Sequence, residues 1–317
     1  MNHRLIALDW GTTNLRACLF ATGQEISETR SAQSGILQIQ DQGFEHALMR
    51  LCHDWMTANT VLLASGMIGS RQGWRETPYL RTPAGPAEAA RALAPVRMTN
   101  GMTVWLVPGI HHVDEAGVDD VMRGEETQIW GDSPGGPGIV ILPGTHSKWV
   151  NCAAGGSIVG FRTWMTGEMF SVLCSHSILG RLMQQGPFSA DSFDLGVRRG
   201  FEAPEQMGRL IFSVRTAGLT QRLPADGLAD YLSGLLIGAE FGAARRCFGL
   251  QPINDRPARV PRIPLRLVGE ALLCDRYGRA AALAGFDTVV APPALAARGA
   301  WRIAQHAGLI SFPAVQP

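Results

Sequence analysis

Two short stretches carry residues of a type and spacing that can bind phosphate. Residues 9–17 read D-W-G-T-T-N-L-R-A, and residues 143–148 read P-G-T-H-S-K. Each places glycine and hydroxyl side chains in a tight turn, where backbone N–H groups and hydroxyls can point at phosphate oxygens. In the first, Asp9 offers a carboxylate for Mg2+, directly or through water, ahead of Gly11, Thr12 and Thr13. In the second, Gly144, Thr145, His146 and Ser147 lead into Lys148. Either stretch alone reads equally well as a hairpin turn whose hydroxyls satisfy their own backbone. As a pair they are more specific, because equivalent turns in two similar halves would face each other across a cleft and clamp a polyphosphate. Lys148 is also the single lysine among 28 Lys and Arg residues. A tight phosphate site needs that compact point charge, which the planar fork of arginine does not replace. An ordinary surface lysine is the other reading.

A third stretch, V-G-E-A-L-L at 268–273, runs from a strand through Gly269 into a helix. Glycine there lets a ligand ring approach the backbone, although a plain helix N-terminus with an acidic first turn explains it as well. Three other patterns are set aside. G-D-S-P-G at 131–135 fits a nucleophile elbow in letters, but it follows a helix and contains Pro134. His111, His112, Asp114 and Glu115 lack the spacing of a metal motif. Neither GxxxxGK[ST] nor GxGxxG occurs.

The elements that must position these turns follow from apolar periodicity. Runs at 4–9, 15–20 and 25–31 predict a three-stranded antiparallel meander. Helical spacing marks 43–57, VLLAS (61–65) reads as a buried strand, and 66–86 reads as a long loop. A helix at 86–94 and a strand at 103–107 follow, and 119–131 reads as a helix with an acidic first turn. DSPGGPG at 132–138 is a turn cluster that suits a linker. The pattern then restarts, with strands at 138–143, 148–153 and 157–165 and a helix at 166–184. Residues 186–227 are less regular and resemble an insertion; helices at 228–247, 269–284 and 293–308 alternate with strands at 264–268 and 286–291. Two similar α/β halves are expected, an N-terminal domain at 1–117 and a C-terminal domain at 118–317 that begins with a crossing helix.

The chain has 317 residues, 46% of them hydrophobic and 17% charged, which favours a well-packed core over disorder. A net charge of +1 gives no electrostatic reason to expect nucleic acid or an anionic membrane. No apolar run is long enough to span a bilayer, and Asp9 interrupts any signal-peptide core. Six scattered cysteines without a CxxC fit buried thiols in a reducing compartment, so a cytoplasmic location is expected.

DWGTTNLRA resembles the phosphate-1 loop of the sugar kinase/actin/Hsp70 superfamily; PGTHSK and VGEALL stand where its phosphate-2 and adenosine loops should be. SGMIGSRQGW (65–74), DVMRGEETQIWG (120–131), LPGTHSKWV (142–150) and TWMTGE (163–168) are similar to one family in particular, the 2-dehydro-3-deoxygalactonokinases. One departure is that Gly269 is followed by Glu270, where a Gly-Gly pair is usual. The resemblance implies an α/β fold of two RNase H-like domains, as in the actin/hexokinase superfamily, with a nucleotide cleft between them. It also implies ATP, Mg2+ and phosphorylation of the 6-hydroxyl of 2-dehydro-3-deoxy-D-galactonate. Under it, Gly11, Thr12, Thr13, Gly144, Thr145, His146, Lys148 and Gly269 contact the nucleotide, and Asp9 holds the metal. The partner is a small sugar acid, with an oligomer left open. Arg71, Gln72 and Trp74 in the Arg-rich loop 66–81, with Arg16 and Arg123, are the expected substrate contacts, since arginine grips a carboxylate with two parallel hydrogen bonds. A base near the acceptor hydroxyl must come from Asp119, Asp120, Glu125 or Glu126. Asp120 fits a helix N-terminus, whereas Glu125 lies nearer the position of the acidic residue in related carbohydrate kinases. A kinase for another sugar or sugar acid, and a non-catalytic nucleotide-dependent binding module, are the alternatives.

Overall fold

Glycine-punctuated apolar runs become strands wherever β-branched and aromatic residues dominate, and a parallel pairing buries both faces of the central ones. The computed structural model describes residues 4–21, 23–39, 43–132, 137–252 and 263–311. Contacts divide the chain into two compact units: residues 1–137 with 151–161 and 292–317, and residues 138–150 with 162–291.

In the first unit, β1 (Arg4–Trp10), β2 (Leu15–Phe20) and β3 (Glu28–Ala32) form the expected antiparallel meander. Helix α1 (Gly43–Cys52) leads to β4 (Thr60–Gly66), which lies parallel to β1. Beyond β4, the stretch expected to be a loop contains a short strand, β5 (Tyr79–Arg81). Then come α2 (Pro86–Arg91), β6 (Ala94–Arg97) and β7 (Thr103–Leu106). The six-stranded sheet has the order β3-β2-β1-β4-β7-β6. Leu5, Ile6, Leu8, Leu62, Leu63 and Val104 are buried in it.

The stretch expected to be a helix at 119–131 is instead a strand followed by a short helix. β8 (Gly109–Val113) and β9 (Asp119–Met122) form an antiparallel hairpin in a three-stranded sheet ordered β5-β8-β9. Helix α3 covers only Glu125–Gly131, because Gly124 adopts φ +111°, outside any helical geometry. The carboxylate of Asp114 accepts N–H bonds from Ala116 and Val118 and folds the hairpin turn. Of the expected linker, residues 133–136 lie outside the described residues.

The second unit opens on β10 (Gly138–Leu142) and β11 (Ser147–Cys152). β12 (Ile158–Trp164) follows, and residues 151–161 of this strand pair count with the first unit. Helix α4 (Thr166–His176) ends sooner than the expected 184. The supposed insertion is helical: α5 (Ala190–Glu202), α6 (Met207–Leu210) and α7 (Phe212–Leu219). It packs on α8 (Leu228–Cys247), which is buried on nearly every face. β13 (Leu265–Leu267), α9 (Ala271–Leu283) and β14 (Thr288–Val290) complete a sheet ordered β12-β11-β10-β13-β14, with β10, β13 and β14 parallel.

The last helix, α10 (Leu295–His306), packs on α3, α2 and β1 and so belongs to the first unit. The two units are therefore not separated by a single cut after residue 117. Gly131 and Gly299 make this packing close: a Cβ on Gly299 would lie 1.8 Å from the Thr127 carbonyl oxygen. Among the described residues no helix is long and apolar enough to cross a membrane.

Candidate active site

In the first unit, the end of β1 turns at Gly11, whose N–H donates to the Asn14 carbonyl at 2.9 Å. The carbonyls of Gly11, Thr12 and Thr13 accept N–H bonds from Ile36, Leu37 and Gly35. That lashing fixes the turn from behind and leaves the Thr12 and Thr13 side chains exposed. Asp9, half-buried, pairs across β2 with Arg16 and across β4 with Ser65. Burial raises the Asp9 pKa; the Arg16 guanidinium pulls it down, and the charge of Glu125 pushes it up.

That last effect identifies which acid stands near Asp9. Gly66, φ +90°, closes β4, and a Cβ on Gly124 would lie 3.2 Å from the Gly66 Cα. This contact between two glycines brings the start of α3 against the ends of β1 and β4. Glu125 is half-buried there and accepts the Arg123 N–H at 3.0 Å. Asp120 does not occupy a helix N-terminus: it sits in β9 opposite His112 and accepts its neighbour's N–H, from Val121. Glu126 is fully buried and accepts the Gly124 N–H (2.6 Å) and the Thr127 hydroxyl (3.1 Å). Burial, aided by the Glu125 charge, pushes its pKa up to about 8, so it carries a proton at neutral pH.

The expected substrate contacts have different surroundings. Arg71 is exposed, with Glu76 at 3.8 Å, and Gln72 is exposed too. Trp74 stacks on Phe44 at 5.9 Å and meets Trp10 edge-on, which anchors loop 66–81 to the core. Arg123 is buried; its guanidinium donates to the Thr77 hydroxyl and carbonyl and lies 4.3 Å over the Tyr79 ring. It thus holds the far side of the same loop. The histidines set aside earlier have simple partners, His111 with Asp119 and His112 with the Thr82 hydroxyl.

In the second unit, Thr145 and His146 are exposed at the turn after β10, and Gly144 opens on empty space. Lys148 is buried, 4% exposed, and its ammonium donates to the His146 carbonyl at 3.0 Å, on the turn itself. The start of α4 braces this turn: the Glu168 N–H donates to the Thr145 carbonyl, and Glu168 pairs with His146. Gly269 adjoins it from the other side, since a Cβ there would be 3.5 Å from the Pro143 carbonyl oxygen. Beneath lies Glu240 of α8, buried at 2% exposure. Its Oε1 accepts from the Ser147 hydroxyl and the Trp149 indole, both at 2.7 Å. Its Oε2 accepts from the Thr166 and Tyr277 hydroxyls. Burial pushes its pKa up against these four hydrogen bonds.

A cavity of about 560 Å3 opens beside this turn, lined by Gly144, Thr166, Phe188, Ser233, Arg276 and Tyr277 among others. Its size, its largely apolar wall and its convergent polar groups fit a purine nucleoside, and Gly144 brings the turn into its lining. For a divalent cation, no group of three or more His, Cys, Asp or Glu that could hold a metal is found among the described residues. Asp9 as the one carboxylate fits Mg2+, which is commonly held by one or two carboxylates together with phosphate oxygens and water.

Comparison with known proteins bears on both the fold and the chemistry. A solved structure of a protein named for 2-dehydro-3-deoxygalactonokinase activity, from Sinorhizobium meliloti, aligns with a TM-score of 0.81 at 29% identity, over 96% of this chain and 98% of that one. The architecture is that of the actin/hexokinase superfamily, with two RNase H-like halves, and the protein is a nucleotide-using carbohydrate kinase. The 2-dehydro-3-deoxygalactonokinase of Escherichia coli (strain K12) is 38% identical over 248 residues, 77% of this chain and 82% of that relative. A relative from Rhizobium meliloti (strain 1021), named for the same activity, is also 38% identical, over 75% and 79% of the two chains. Residues 9–303 match the 2-keto-3-deoxy-galactonokinase family, and this chain belongs to it.

Proposed function

We propose that this kinase uses Mg2+ and ATP to phosphorylate the 6-hydroxyl of 2-dehydro-3-deoxy-D-galactonate. The observation that carries the residue assignment is the closeness of Glu125 to Asp9 at the ends of β1 and β4. Asp9 would hold Mg2+, which neutralises charge on the phosphates when bound. Glu125, rather than Asp120, would accept the proton of the attacking hydroxyl. Glu126 next to it is kept protonated by burial and would not compete for that role. Each phosphate-type turn offers glycine, threonine and backbone N–H groups to phosphate oxygens, and Lys148 adds a buried point charge beside its own turn. Arg71, Gln72 and the exposed Arg16 are available to the sugar-acid carboxylate and hydroxyls. Trp74 and Arg123 act by holding loop 66–81 in place.

The test is ADP release with 2-dehydro-3-deoxy-D-galactonate, its C4 epimer, galactonate and galactose. We expect kcat/KM to be highest for the first, because a few placed hydrogen bonds discriminate strongly among polyols. A preference for neutral galactose would overturn the carboxylate-binding role of loop 66–81. ADP release with none of the four would overturn the substrate assignment.

A further inference from the structure

Glu240 belongs to none of the turns discussed above, yet it is bonded to three elements, β11, α4 and α9, at or beside the cavity in the second unit. Ser147 and Trp149 come from β11, immediately after the phosphate-type turn. Thr166 comes from the first turn of α4, whose next residues bear on that turn: the Glu168 N–H reaches the Thr145 carbonyl, and a Cβ on Gly167 would meet the Gly144 carbonyl oxygen at 2.5 Å. Tyr277 comes from α9, the helix that follows Gly269. Thr166 and Tyr277 also line the cavity themselves. A buried acid without a cation among these partners is costly unless its hydrogen bonds are complete. Here each oxygen accepts two donors, both from β11 at Oε1 and one each from α4 and α9 at Oε2, so one carboxylate of α8 ties three elements together and fixes their spacing more tightly than apolar packing does.

We infer that Glu240 is a positioning residue for the nucleotide, setting the phosphate-type turn, the start of α4 and the helix α9 at one fixed separation. It acts through Ser147, Thr166 and Tyr277 and does not itself touch ATP. The inference rests on the reading of this cavity as the nucleotide site. Glutamine is a discriminating replacement because it has the same shape. The indole N–H of Trp149 can only donate, so the amide oxygen must stay on the Ser147 and Trp149 side. The amide NH2 then faces Thr166 and Tyr277, both of which must turn their hydroxyls round to accept. The hydroxyl protons of Thr166 and Tyr277 then lose the carboxylate acceptor, which weakens the tie to two of the three elements while the core keeps its volume.

The experiment uses the full chain and compares wild type with Glu240→Gln, Ser147→Ala and Tyr277→Phe. KM for Mg·ATP, KM for the sugar acid, kcat and melting temperature are measured for each. Glu240→Gln should raise KM for ATP about tenfold or more while KM for the sugar acid stays within twofold. Adding Ser147→Ala to Glu240→Gln should raise KM for ATP by a smaller factor than it does in wild type, since the two share one linkage. Should Glu240→Gln fail to fold, Ser147→Ala and Tyr277→Phe must show the same selective rise. KM for ATP within twofold of wild type in every soluble variant would overturn the inference, as would equal rises in both KM values. Calorimetry of Mg·ATP binding to wild type separates the two levels. No binding removes the nucleotide reading and the inference with it, whereas tight binding with unmoved variants removes the inference alone.

Discussion

Glu126 gives a pH prediction whose size follows from its surroundings. Its side chain is fully buried at the start of α3, with the Gly124 N–H and the Thr127 hydroxyl as partners and the charge of Glu125 beside it. Burial moves its pKa from an ordinary 4.5 to about 8. The folded pKa is raised, so the stability the group contributes is fully present below 4.5 and is lost as pH rises through about 8. The interval is about 3.5 pH units, which at 1.36 kcal/mol each is on the order of 3–5 kcal/mol. Glutamine imitates the protonated acid: its oxygen can take the Gly124 N–H and its NH2 can donate to Thr127. Glu126→Gln should therefore melt close to wild type at pH 5 and well above it at pH 9. At roughly 2 °C or more per kcal/mol, the difference at pH 9 should exceed about 6 °C. Thermal melts followed by tryptophan fluorescence at pH 5, 7 and 9 measure it. Equal offsets at pH 5 and pH 9 would refute the reasoning, because they would mean that burial does not keep the proton on Glu126.

Three further outcomes are expected. Asp9→Asn removes the carboxylate assigned to Mg2+ and should lower kcat by about 100-fold or more with the melting temperature held, since positioned charge supplies most of the catalysis; near-normal turnover at saturating Mg2+ would exclude that role. Lys148→Met and Lys148→Arg should both lower kcat/KM for ATP, by roughly 1–3 kcal/mol of transition-state stabilisation, because the buried site that holds the ammonium has little room for a planar fork; a fully active Lys148→Arg would refute the point-charge argument. Gly124→Ala puts a side chain on φ +111° and a Cβ 3.2 Å from the Gly66 Cα. It should cost about 1–3 kcal/mol and lower kcat by moving Glu125, and an unchanged melting temperature together with unchanged kcat would count against the glycine contact.

The sequence was most legible where one periodicity ran without interruption. The meander β1–β3 and helix α8 fell where alternation and helical spacing put them, and so did the two phosphate-type turns. The residues 109–122 were harder, because His111, His112, Asp114 and Glu115 look like ligands when they are the edge and turn of a hairpin. The acidic run 119–126 imitates a helix start, and only the positive φ of Gly124 divides it into strand and helix. Residues 186–227 looked irregular because the apolar faces of α5–α7 complement α8, and a pattern shared between helices is invisible in any one of them. Within the candidate site, Trp74 and Arg123 have the right types for ligand contacts, and only the structure shows their packing partners, Phe44 and Trp10 for the one and Thr77 and Tyr79 for the other. Glu240 left one trace: a lone acid inside the apolar helix LSGLLIGAEFGAA. Four of the six cysteines are buried, as expected of inert thiols, while Cys174 is half-buried and Cys247 is exposed.

The contact between α5 and α8 has a consequence for how finely Glu240 is placed. Gly196 and Gly200 of α5 meet Gly234 and Gly238 of α8 so closely that a Cβ at any of the four would fall 2.1–2.3 Å from a backbone oxygen of the other helix. The separation of these helices is thus set by main chain against main chain, with no side chain to flex or change rotamer. Glu240 stands two residues beyond Gly238, so its height in the unit is referenced to a rigid surface. Helices α5–α7 are, in mechanical terms, the datum from which the cavity beside residues 143–148 is measured, and trimming them would misalign that cavity even where no trimmed residue reaches it.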